Sequence, residues 1–438
     1  MPRDRYGLTV STGEEAATRY QEGIDRLLRL DAGAREEIAA AVELDGAFAL
    51  GQATLALIDS EEGRSSDARL HLDAALRHID GASPRERSAV HAVAAICDGS
   101  IDVARTALIT HLQQHPVDAL LMTVAFPTIA FSGVTETSAQ MWSLVEGAEK
   151  AYGDDWWYLS LLSFVRQEQE RYDESFDLAQ RALATEPRSG HAVHAAAHVH
   201  YETGDYAGGL RWLDGWITSL SATTSPAFRS HASWHAALYE LCLGDSAAVR
   251  QRWARELAPP ESNGLRVLVD AGSMLHRCQL RGTWPEPPVS RVLEAATEQS
   301  LRHPVSAFAA LHAGLAWATA GNSEELDLLA HDVRARMGAT SAVVGTILDG
   351  LRAQVEGRHS DAVALLTAAL PRLEQVGGSL AQRSVINETL LRSLIDSGQH
   401  EEARRWLAAT MESGRLVHWI PAELADTEDT TPHPAPTA

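Results

Sequence analysis

The sequence predicts an all-α protein, a ladder of helical hairpins stacked into a superhelix. Three observations carry that expectation. Alanine and leucine dominate, while the period-two alternation of β-branched residues that marks strands is almost absent. Apolar residues instead recur at three- and four-residue spacing, as in Ala68, Leu72, Ala75, Leu76 and Ile79. Finally, a short turn of the form Gly-x-x-x-x-Ala, or a close variant, returns at Gly63, Gly99, Gly133, Gly204, Gly244, Gly282, Gly321, Gly357 and Gly398, with Glu170 once filling the same slot. Successive turns lie 34 to 41 residues apart. A sustained period of that length is what stacked helix–turn–helix units produce.

Taken in order, the elements support this reading. The longest apolar run, Ala119 to Phe131, is broken by Pro127 and too short to span a bilayer, so it reads as a core helix. The clearest repeat pair lies between Trp156 and Leu220. Tyr172 and Tyr206 are 34 residues apart, the tetratricopeptide length, and Trp157 and His191 share that offset. The first of these units reads Trp157, Leu161, Phe164, then Tyr172, Ala179, Ala182 and Leu183, and closes at Pro187, where proline ends the second helix. Such hairpins bury their core between neighbours and curve into a right-handed α-solenoid with a concave face. The expected organisation is an N-terminal array over 1–283, a rigid Pro-rich loop over 284–290 and a C-terminal array over 291–420. A disordered, Thr/Pro-rich tail over 421–438 follows.

Composition excludes several classes of function. Of 438 residues, 37 are Lys or Arg and 59 are Asp or Glu, a net charge of 37 − 59 = −22. That balance argues against nucleic acid, whose recognition needs a basic face to displace counterions, and against anionic membrane surfaces. Three cysteines without a CxxC pair exclude a disulfide framework or a thiolate zinc site. The start, Met1-Pro2-Arg3-Asp4-Arg5, has no apolar stretch behind it, so a cytoplasmic protein is expected.

Histidine is over-represented, with 19 residues, about 4% of the chain. His191, His194 and His198 fall at i, i+3 and i+7, one stripe of one helix face. The next unit's first helix carries His231 and His235, an i, i+4 pair with Trp234 between them. Equivalent helices of adjacent repeats stand roughly 8–10 Å apart, so the two faces can meet. His194, His198, His231 and His235 are therefore candidate general acids and bases, and candidate ligands of a divalent metal such as zinc or iron. Glu202, Asp205 or Glu240 could complete the shell. The same residues can equally line a metal-free polar pocket or pack between helices, and the HExxH zinc pattern is absent.

Other motifs are sparser. Gly377-Gly378-Ser379-Leu380-Ala381-Gln382-Arg383 opens a helix after a glycine pair, either as an anion-binding N-terminus or as an ordinary capped start. Trp156, Trp157, Trp212, Trp216 and Trp234 crowd the histidine region, as core or as aromatic lining. Trp157, Trp234, Ser379, Gln382 and Arg383 are thus the candidate ligand-binding residues. No phosphate-binding Gly-rich loop and no GxSxG elbow occurs.

Five segments, in order along almost the whole chain, resemble the tetratricopeptide repeat protein 38-like family. They are Arg85-Glu86-x-x-x-x-His91, His194-Ala195-Ala196-Ala197-His198-Val199, His231-Ala232-Ser233-Trp234-His235, Asp270-Ala271-Gly272-Ser273 and the Gly377–Arg383 run. The resemblance implies an all-helical repeat fold and supplies no reaction. Two classes of function follow from the residues. One is a binding module holding a protein, peptide or small molecule in a His/Trp-lined concave groove. The other is a hydrolase-like small-molecule enzyme built on the histidines. An enzyme predicts a closed site with converging polar groups, a scaffold an open groove.

Overall fold

The computed structural model describes residues 1–130, 135–220 and 223–424, and among them the chain is all-α. The only β pairings among these residues are two isolated bridges, Arg3 with Thr9 and Asp31 with Thr224. Antiparallel hairpins follow one another, among them Ala49–Glu61 with Ser65–Arg77, Trp156–Glu168 with Tyr172–Thr185, and Gly190–Glu202 with Tyr206–Leu220. Toward the C-terminus come Ala307–Thr319 with Ser323–Arg336, and Leu380–Asp396 with His400–Glu412.

The recurring turns are where the periodicity puts them. Gly63, Gly99, Gly204, Gly244, Gly282, Gly321, Gly357 and Gly398 all have φ between 68° and 79°, the left-handed conformation that closes a helix and reverses the chain. Glu170 holds the same conformation at φ 60°, which a residue with a Cβ rarely adopts. Gly133 lies outside the described residues.

The two helices of a hairpin differ in burial, and their sequences say why. Trp156–Glu168 is apolar nearly all round and buried from Trp156 to Gln167, because it is sandwiched between neighbouring units. Its partner, Tyr172–Thr185, buries only Ser175, Leu178, Ala179 and Ala182, one stripe at helical spacing. N-caps set the starts of the inner helices. The Asp155 carboxylate accepts from the amides of Trp157 and Tyr158, and the side chains of Ser189 and Ser225 accept from Ala192 and Phe228. Among the described residues no helix is long and apolar enough to cross a membrane. The run from Ala119 is a core helix, Ala119–Ala130, with Leu121 and Ala125 fully buried.

Two hydrophobic cores run through the stack and meet on the Gly190–Glu202 helix. That helix gives Ala192 and Ala195 to the N-terminal core, and Val193, Ala197 and Tyr201 to the C-terminal one. The second core continues past the Pro-rich loop, where Trp284 meets Trp253 edge-on at 5.7 Å. Residues 421–424, expected as the start of the tail, are packed against the fold. Pro421 is buried, Leu424 enters the core and Glu423 pairs with Arg392 at 2.9 Å, so apolar burial and an ion pair hold these residues. Residues 425–438 lie outside the described residues.

The C-terminal helices pack back onto earlier repeats. The Leu380–Asp396 helix touches two of them, with the Leu380 amide donating to Glu168 at 3.4 Å and Arg277 donating to the Ala381 carbonyl at 2.7 Å. Beyond it, His418 stacks on Tyr201 at 3.9 Å and Arg415 pairs with Glu170 at 2.8 Å. Between this C-terminal segment and the earlier helices a cavity remains, lined by His276, Arg281, Thr319, Gln354, Arg392 and Trp419.

Candidate functional site: a buried histidine cluster

The four histidines singled out by spacing meet at the seam between the two cores. The i, i+4 register places His194 above His198 on one helix and His231 above His235 on the next. The Nε2 atoms of His194 and His198 are 3.1 Å apart, and those of His194 and His231 3.0 Å apart. Ring centroids of His198 and His235 are 4.5 Å apart, and those of His231 and His235 5.0 Å. One ring nitrogen from each of His194, His231 and His235 lies within 4.8 Å of the others, the group best placed to hold a metal. His198, His231 and His235 are almost fully buried, and His194 alone keeps some exposure. Their walls are aromatic: Trp234 stacks on His231 at 5.5 Å and Phe164 on His194 at 5.2 Å.

A carboxylate that spacing did not point to completes the cluster. Asp270 is fully buried and its Oδ1 lies 2.9 Å from His231 Nδ1. It sits on a wide π-helical turn, Val267–Gly272, just before the Ser273–Leu280 helix, and Arg266 steadies its other oxygen at 3.5 Å. The three carboxylates proposed from sequence serve elsewhere. Glu202 faces His418 at 3.5 Å, Asp205 binds His200 at 3.0 Å and Glu240 pairs with Arg252 at 2.7 Å. Each lies close in sequence to the histidines but points away from them, since neighbours on a helix face different directions.

Electrostatics keep these imidazoles neutral. Burial holds His198 down to about 3, with His231 and Arg383 adding to the effect. Burial likewise holds His194 and His235 well below the ordinary histidine value, and the neighbouring rings reinforce it. Burial and Arg266 lower His231 while Asp270 opposes them. Burial pushes Asp270 up, but His231 and Arg266 outweigh it, and the group stays an anion.

Proton placement then becomes an accounting question. His231 donates Nδ1–H to Asp270, so its Nε2 carries a lone pair. His194 Nε2 must bear the proton between them, and His198 Nε2 must accept. That leaves the His198 proton on Nδ1, which is buried and has no partner. Both ring nitrogens of His235 are also buried without partners. An orphaned buried polar group costs about 1–3 kcal/mol, so a cluster filled with protons alone is strained.

The candidate ligand-binding residues divide. Trp234 is a wall of the cluster, its Nε1 tied to Ser273 at 3.2 Å. Trp157 is not: it is 1% exposed and packs on Tyr152 at 5.6 Å in the N-terminal core, a structural role set by its neighbours. Ser379 and Gln382 join in a capping box that closes a helix start. Arg383 donates to the Gly378 carbonyl and pairs with Glu168 at 3.6 Å, which fastens the C-terminal helix across the inner face. His191, first in the stripe, is not among the rings in contact.

No family model matches the chain. Among solved structures, it is similar to a tetratricopeptide repeat protein from Parabacteroides merdae, at 12% identity and a TM-score of 0.34, covering 71% of this chain and 98% of that one. It is also similar to the P58(IPK) TPR domain, at 12% identity and a TM-score of 0.21, covering 88% and 99%. A third is the structure of Naa15/Naa10 bound to HypK-THB, at 12% identity and a TM-score of 0.25, covering 91% of this chain and 63% of that chain.

Proposed function

We propose that this helical-repeat protein binds a small molecule inside its superhelix and performs acid–base chemistry on it at the histidine cluster. The observation that carries the reading is the convergence of four neutral imidazoles from two adjacent hairpins, backed by Asp270 and roofed by the chain's own C-terminal helix. Asp270 fixes the His231 tautomer through Nδ1 and leaves its Nε2 as an oriented lone pair, the arrangement of a carboxylate-backed acid–base residue. The Leu380–Asp396 helix reaches the inner helices through Glu168 and Arg277, which supports a compact ligand over an extended peptide. The substrate class is therefore a compact molecule that reaches the partly exposed His194 side.

Thermal-shift screening of the untagged full chain against small acids, esters and amides, and against extended peptides, tests this. Stabilisation by compact molecules that is lost in His198→Ala supports the reading. Stabilisation by peptides alone, unchanged in His198→Ala, overturns it.

A further inference from the structure

We infer that the cluster is a metal centre in which His194, His231 and His235 ligate one late first-row divalent ion, with Asp270 holding His231 from behind. The inference rests on the histidine cluster being the working site and names what that site contains. Three features point to an ion.

The first is spacing. Imidazole nitrogens bound to a tetrahedral zinc-like ion at about 2.0–2.1 Å lie roughly 3.3 Å from one another. His194 and His231 Nε2 already stand 3.0 Å apart, and the widest pair in the trio is within 4.8 Å. Closing the set takes side-chain rotation of no more than about 1.5 Å.

A second feature is the orphaned donor and acceptor capacity. An ion at the centre takes the lone pairs of His194, His231 and His235 together. It gives His235 the partner that no protein group supplies.

The last is the backing carboxylate. A ligating histidine commonly donates its other ring N–H to a carboxylate, which fixes the tautomer and raises ligand basicity. Asp270 makes that contact to His231 at 2.9 Å. The donor set is all nitrogen, which suits zinc, iron, cobalt, nickel or copper and not the oxygen-seeking magnesium or calcium. Three histidines leave a fourth position for water or substrate, the pattern of a catalytic site rather than a structural one. The other charged groups facing the cluster are Arg266, anchored on Asp270 at 3.5 Å, and Arg383, anchored on Glu168 at 3.6 Å.

The test uses the untagged full chain, stripped with a chelator and dialysed against Zn2+ or Co2+. One ion per chain is expected, with the visible absorption of tetrahedral cobalt. His235→Ala should lose the ion, and Asp270→Asn should keep the stoichiometry with affinity lowered 10- to 100-fold. Circular dichroism checks folding, and Asp270→Asn carries the test should His235→Ala fail to fold. A folded wild-type chain that binds no ion, or His235→Ala and Asp270→Asn variants that bind it as wild type does, would overturn the inference. Small-molecule stabilisation in a chain that takes up no ion removes the ion and keeps the functional reading. An ion bound without any small-molecule response does the reverse.

Discussion

Acid should unfold this protein well before its carboxylates titrate, because histidines are buried neutral at several points of the core. His276 and His312 lie outside the cluster, 2% and 1% exposed, and burial holds each at about 4 against an ordinary 6.5. The His276 ring is fixed between Thr319 and Thr389, and the His312 Nδ1 lies 2.8 Å from the Phe308 carbonyl. A group whose pKa is lower in the folded state leaves stability intact above the unfolded value. Stability is then lost as pH falls from about 6.5 toward 4, since only the unfolded chain takes up the proton. At 1.36 kcal/mol per pH unit, lowering the pH from 7 to 5 costs about 2 kcal/mol per histidine and about 4 kcal/mol for the pair. That is a large share of a typical folding free energy. The assay is equilibrium urea unfolding at pH 7 and pH 5, followed by tryptophan fluorescence, on wild type and a His276→Gln/His312→Gln double variant. Wild type should lose about 4 kcal/mol more than the variant over that interval. Equal losses would refute the claim that these two rings are neutral and desolvated.

Two further outcomes follow from packing and charge. Glu388→Gln removes the carboxylate shared by the buried Arg277 and Arg281 side chains, and should cost about 3–5 kcal/mol in urea unfolding; a change below about 1 kcal/mol would mean solvent reaches the guanidiniums. Gly190→Ala would bring a Cβ to 2.9 Å from both the Arg29 carbonyl and the Phe228 ring at the start of the histidine helix. A loss of about 1–3 kcal/mol is expected, and an unchanged melting temperature would contradict the close packing there.

What the sequence could reveal follows from which interactions are local. The turns were legible because a left-handed glycine is a property of one residue, and the recurrence of Gly204, Gly244 and Gly282 gave the hairpin period. The histidine faces were legible for the same reason, since helical register alone aligns His194 with His198 and His231 with His235. Asp270 was not assigned a role, although its segment stood out in the family resemblance. It sits 39 residues after His231 on a π-helical turn, and neither the repeat period nor heptad-like spacing predicts such a turn. The return of the C-terminal helix onto earlier repeats was hidden too. It depends on contacts such as Leu380 to Glu168, 212 residues apart, that only the curvature of the whole stack brings together. Trp157 and Trp234 read alike locally, and only the tertiary neighbours Tyr152 and His231 separate a core residue from a wall of the site.

The most direct measurement is an anomalous difference map at the zinc edge, from crystals of the untagged full chain equilibrated with Zn2+. A single strong peak about 2.0–2.1 Å from one ring nitrogen of each of His194, His231 and His235 is the predicted result. A cluster without a peak, its rings joined only by N–H···N hydrogen bonds, or a zinc ion seated on other residues, would contradict the metal centre.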